Sequence, residues 1–117
     1  HISVFHPSDG ASPSPNFTNR RDFLNLQFHL KPRNEYPRSH RLYAGWKGAL
    51  LTARNLSFNV MIFPHIKAIE FTHLLRDYLT SRNDGDHPFL FTNSKGQPES
   101  KKNFLKKYNK AIDQIFR

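Results

Sequence analysis

Cysteine is missing from the chain altogether, so neither a disulfide nor a thiolate metal centre can staple the fold, and burial has to hold it. Acidic residues are scarce as well. Nine Asp and Glu against eighteen Lys and Arg leave a formal charge of +9. An excess of that size favours a polyanionic partner, because each phosphate neutralised releases counterions; by itself it does not separate DNA from RNA or from an anionic membrane surface. Long apolar runs are absent too: nothing approaches the ~20 residues that cross a bilayer, and no stretch has the charged, apolar and small-residue regions of a secretion signal. The expectation is a soluble, cytoplasmic protein without a membrane partner. Aromatic side chains, by contrast, are plentiful: eleven Phe, four Tyr and one Trp offer large apolar area at small conformational cost. In 117 residues they suffice for one core. The histidine at the start and the apolar run to Ile115, Phe116 and Arg117 read as the ends of a piece cut from something longer.

Residues 1–19 are expected to be a flexible arm or linker, since the run from His6 to Asn19 is rich in Ser, Pro, Gly and Asn and poor in apolar residues that could offset the entropy of ordering it. Residues 20–117 then form one domain. Leu24, Leu26, Phe28 and Leu30 alternate with polar residues, the period of a half-buried strand. A second alternation at Leu56, Phe58, Val60 and Ile62 predicts another. Weaker candidates lie at Ala49 to Thr52 and at Arg41, Leu42 and Tyr43, with a turn at Gly45 and Gly48 between them. After Pro64, which suits a first helical turn, Ala68, Phe71, Leu75, Tyr78 and Leu79 recur at helical spacing through Ser81. The polar stretch from Asn83 to Asp86 stops that helix. A short strand at Phe89, Leu90 and Phe91 and a turn from Asn93 to Gly96 follow. Ser100 can then cap a last helix from Lys101, with Phe104, Leu105, Tyr108, Ile112 and Ile115 on its apolar face. The fold class is therefore α+β: a small antiparallel sheet followed by two main helices separated by a short strand.

Within this pattern, residues 63–107 carry a strand ending in Phe63-Pro64, a helix reading LLRDYLTSR, and then the line HPFLFTNSKGQPES leading into another helix. That stretch resembles the middle of the catalytic domain of tyrosine recombinases, the phage integrase family. The resemblance covers under half of the chain and implies DNA recombination and integration. In the family this unit positions chemistry without performing it, and the preceding sheet carries a catalytic lysine on a hairpin turn, where an ammonium can protonate the leaving oxygen. Lys47, between Gly45 and Gly48, is the positional match here.

The same family attacks a phosphodiester with a tyrosine while arginines and a histidine stabilise charge on the phosphate. His73, Leu74, Leu75 and Arg76 fit a His-x-x-Arg box, with Tyr108 following at family-like spacing. Three features argue against that assignment: the Gly-His pair before the tyrosine is absent, Gly96-Gln97-Pro98 interrupts the intervening chain, and Tyr108 falls among the packing positions of its helix. Without it the usual boxes are lacking, and the chain reads as a recombinase fragment inactive alone, neither complete enzyme nor simple binder. The alternative is a non-enzymatic DNA- or RNA-binding module.

No two histidines share helical i, i+3 or i, i+4 spacing, and Asp84, Asp86 and His87 are explained by a polar turn. Neither a metal nor a cofactor is expected. The cations fall into three clusters: Arg20 and Arg21; Lys31, Arg33, Arg38 and Arg41; and the face from Lys101 to Lys110, on which Lys102, Lys106 and Lys110 are spaced four apart in one row. Tyr36, Tyr43 and Trp46 interleave the second cluster, which suits rings that stack beside phosphate contacts. The expected partner is the DNA phosphate backbone, and binding should fade steeply with salt. An apolar face left open on the last helix would also favour self-association.

Overall fold

The computed structural model describes residues 2–51 and 54–115. It is an α+β domain in which a two-stranded antiparallel sheet accompanies three helices. In chain order the elements are β1 (Ser3–Phe5), α1 (Arg20–Phe28), β2 (Ser57–Asn59), α2 (His65–Ser81) and α3 (Lys101–Ile115), with a 3-10 turn at Arg33–Glu35.

β2 lies inside the alternating run that predicts it. Its partner comes from the opposite end of the chain: Ser3 pairs with Asn59, Val4 with Phe58 and Phe5 with Ser57. Val60 N–H donates to Ile2 O and His6 N–H to Leu56 O, each at 2.8 Å, which extends the ladder at both ends. The run from His6 to Asn19, expected as a linker, is bonded back onto neighbouring elements. Ala11 N–H donates to Asn55 O at 3.0 Å, while Gly10 O and Ser8 O accept from Arg20 and Arg21 N–H at 2.9 and 3.0 Å. Those last two bonds satisfy donors that the first turn of a helix leaves open.

Residues 24–30 are the main correction to the sequence pattern. Instead of a strand they belong largely to α1, which starts where the Asn19 side chain accepts from Asp22 N–H at 2.9 Å. It ends at His29, in the left-handed region with φ 57°, where Leu30 N–H donates to Leu24 O at 3.0 Å. Among the described residues Phe23 and Leu24 are the buried large apolar side chains, an adjacent pair that a strand would send to opposite faces. Leu26, which the alternation would bury, is 69% exposed. The Phe23 ring meets Phe17 and Phe28 edge-on at 5.9 and 5.3 Å between centroids. Arg41 and Leu42 form a turn rather than a strand, and residues 43–51 have no regular structure. Thr52 lies outside the described residues.

α2 occupies its expected span. Beyond it, two turns meet: the Asn83 side chain donates through Nδ2 to Ser94 O at 2.6 Å, and Gly96 sits at φ +76°. A β-carbon on Gly85 would collide with Gly96 O, so this approach depends on both glycines. Phe89, Leu90 and Phe91 are not a strand, because pairing begins one residue later. Thr92 lies opposite Pro98, with Glu99 N–H donating to Phe91 O and Asn93 N–H to Gln97 O, both at 2.9 Å. Tyr78 of α2 accepts from Thr92 N–H through its hydroxyl at 3.0 Å. Its ring lies 5.7 Å from Phe91, which lies 5.1 Å from Phe104 of α3. α2, the hairpin and α3 thus share an aromatic cluster.

Ser100 caps α3 as expected, its Oγ accepting from Asn103 N–H at 3.2 Å. The apolar stripe of that helix is open, however: Phe104 is 42% and Tyr108 55% exposed, so Tyr108 is not the buried packing residue that its position predicts. No helix among the described residues is long and apolar enough to cross a membrane.

Candidate nucleic-acid interface

One arginine brings the two halves of the basic surface together. Arg33 follows the buried Pro32 and donates through Nε to Leu42 O and through Nη2 to Glu99 O, both at 2.8 Å. The first bond folds the loop after the 3-10 turn; the second anchors that loop beside the start of α3. Ala44 N–H, donating to Arg33 O at 3.1 Å, closes the same loop. Burial, reinforced by the nearby Arg41 charge, lowers the Arg33 pKa from its ordinary value.

The result is a groove of about 560 Å³ between the loop and the helix. Arg38 and Arg41 stand on one side, Lys101 and Lys102 on the other, and Tyr43 and His40 contribute rings. No carboxylate lines it. His40 is positioned by stacking on Tyr36 at 4.4 Å between centroids, and its Nδ1 accepts from Leu42 N–H at 3.0 Å. From Lys102 the exposed Lys106 and Lys110 continue the cationic row along α3 by their four-residue spacing. Lys107 faces a different partner: its Nζ donates to the buried Glu99 carboxylate at 2.8 Å. That hydrogen bond depresses the Glu99 pKa, with burial opposing it.

The remaining sequence candidates lie elsewhere. Arg21 is already neutralised by Glu35 at 2.7 Å and Asp9 at 3.2 Å. Arg20 lies over the Phe5 ring, 4.5 Å from its centroid, and burial lowers its pKa. Lys31 is exposed, with its backbone N–H donating to the Tyr36 hydroxyl at 3.0 Å, and it does not line the groove. Lys47 is exposed on irregular chain, so the hairpin that would present it as a catalytic lysine is not formed. Its neighbour Trp46 packs edge-on against His6 at 5.4 Å. His73 and Arg76 are exposed on α2 and Tyr108 on α3. No hydrogen bond joins any two of the three among the described residues. Asp84 and Asp86 are exposed, while both His87 nitrogens are engaged: Nδ1 accepts from Phe89 N–H at 3.1 Å and Nε2 donates to Gly96 O at 3.1 Å. Among the described residues no three His, Asp or Glu side chains gather as metal ligands do.

Sequence reasoning named Arg38, Arg41 and Lys102 as contacts, set Lys101 only at the edge of its cluster, and left out His40 from the same groove. The signal for these last two was adjacency to named cations, which is weak without the fold. No family model, no curated protein and no solved structure matches the chain.

Proposed function

We propose that the chain binds the phosphate backbone of DNA through this groove and the lysine row of α3. The observation that carries the reading is the convergence of Arg38, Arg41, Lys101 and Lys102 on one groove with no carboxylate among them. Four exposed or half-exposed cations in one trough attract successive phosphates, whereas the same charges scattered would be solvated singly. Arg21 and Lys107 are discounted because acids on the chain already hold them.

The resemblance of residues 63–107 to tyrosine recombinases supports the narrower reading that the chain is a DNA-binding part of a recombinase or integrase, working in the cytoplasm and inactive alone. A second reading, a non-enzymatic DNA- or RNA-binding module, is favoured by the separate, unbonded placement of His73, Arg76 and Tyr108. Incubation with supercoiled plasmid tests inactivity: we expect the topology to stay unchanged. Relaxation that disappears in Tyr108→Phe would overturn it and restore the tyrosine as nucleophile. Fluorescence anisotropy with labelled duplex DNA and duplex RNA of one sequence tests the partner, with the DNA expected to bind more tightly.

A further inference from the structure

We propose that the cavity between α1, the loop at residues 44–46 and the segment at Pro88 and Phe89 is a seat for one unstacked nucleotide. It has a volume of about 620 Å³, within the range of roughly 300–1,000 Å³ typical of small-ligand sites. Two guanidiniums enter it, those of Arg20 and Arg33, and no carboxylate lines it. Each is packed on a phenyl ring, Arg20 over Phe5 at 4.5 Å and Arg33 over Phe89 at 5.6 Å. The indole of Trp46 supplies a further wall.

The cations are available for a ligand. Arg20 makes no side-chain hydrogen bond among the described residues, and its Nε is buried without a partner. Arg33 uses Nε and Nη2 on two carbonyls, leaving three of the five N–H donors of a guanidinium. Flat aromatic walls with paired, uncompensated arginines match a planar base joined to a phosphate: the rings accept the base by stacking, and the guanidiniums bind the phosphate oxygens in fork geometry. The first-turn backbone donors of α1 do not contribute, since Gly10 O and Ser8 O already accept from Arg20 and Arg21.

The cavity and the groove are neighbours through shared lining residues. The cavity shares Arg33 and Ala44 with a smaller depression, which in turn shares Ser100 and Lys101 with the groove. A strand held by its phosphates in the groove can therefore deliver a neighbouring nucleotide out of the stack and into the cavity. That source of the nucleotide rests on the DNA-binding reading; the cavity's preference for a nucleotide does not.

Trp46 is the sole tryptophan, so its emission reports on the cavity alone. Titration of the whole chain with thymidine 5′-monophosphate should quench it saturably, while thymidine or inorganic phosphate at equal concentration should not. Losing one charge-assisted contact in Arg20→Gln should weaken the quench about tenfold. Arg38→Gln with Arg41→Gln should leave the mononucleotide response unchanged and weaken binding of single-stranded oligothymidylate. Quenching that is absent, equal in Arg20→Gln, or reproduced by inorganic phosphate overturns the proposal. Should Arg20→Gln lose its helical circular dichroism, the single indole N–H resonance of the wild type decides: it must shift with the mononucleotide, and a resonance that stays put sinks the idea. Loss of oligonucleotide binding in the groove variant without any mononucleotide response would leave the groove standing and remove the cavity.

Discussion

Gly96 carries a φ of +76°, and a β-carbon there would stand 2.9 Å from Asp84 O. Both facts penalise any other residue, the first because L-side chains enter the left-handed region at a cost of about 1–2 kcal/mol. Gly96→Ala should lower the urea midpoint of unfolding by an amount worth at least that much, with an unchanged denaturant slope. The residue that Gly96 O holds, His87, has its pKa lowered by burial first and then by the Arg82 and Arg33 charges, with the Gly96 bond opposing. The folded state therefore prefers the neutral ring, and the unfolded chain binds more protons as pH falls below the ordinary value of about 6.5. Stability is full above that value and declines as pH falls through it toward the lower folded value. Thermal midpoints recorded across this window should show the decline in wild type and a flatter profile in His87→Ala. Glu99 behaves in the usual carboxylate sense: its depressed pKa adds stability that persists to lower pH and is lost only as the carboxylate is protonated.

At the scale of elements, the cap of α1 is the most accessible test. Asn19→Ala removes the acceptor for Asp22 N–H and should cost about 1 kcal/mol in chemical unfolding, whereas Asn19→Asp should retain most of that stability. The same cap explains what could be read from the sequence. α2 and α3 were legible because apolar residues recur at helical spacing beside Pro64 and Ser100, and β2 because Phe58 sits in a clean alternation. α1 was misread because Leu24, Leu26, Phe28 and Leu30 alternate by accident, while the pair Asn19 and Asp22 carried the helix signal in a short span. β1 was missed for another reason: Val4 and Phe5 are too few to form a pattern, and their partner lies more than fifty residues away. The strand expected at residues 89–91 was displaced by one position because Arg82 donates to the carbonyls of Phe89 and Leu90, engaging those acceptors outside a ladder.

Across the whole molecule, few large apolar side chains among the described residues are fully buried and the stripe on α3 stands open, while long-range polar ties such as Arg33 to Glu99 bridge separate parts. That tie also limits what sequence could say about the site. The clusters at Arg38 and Arg41 and at Lys102 were visible separately; where they meet, a bond joins residues sixty-six positions apart. Arg33 also counted as a phosphate contact in the sequence; in the fold two of its donors hold carbonyls and three stay open. Arg21 counted likewise and is paired with acids. The basic excess points to a class of partner but does not say which cations converge; that needed the fold. The most direct measurement is the salt dependence of duplex DNA binding by anisotropy, comparing wild type with the combined Arg38→Gln, Arg41→Gln and Lys102→Gln variant. Each phosphate contact contributes about 0.9 to the slope of log K against log salt, so the variant should bind more weakly with a slope shallower by roughly two to three. Equal affinity and an unchanged slope would contradict the assignment of the groove to the DNA backbone.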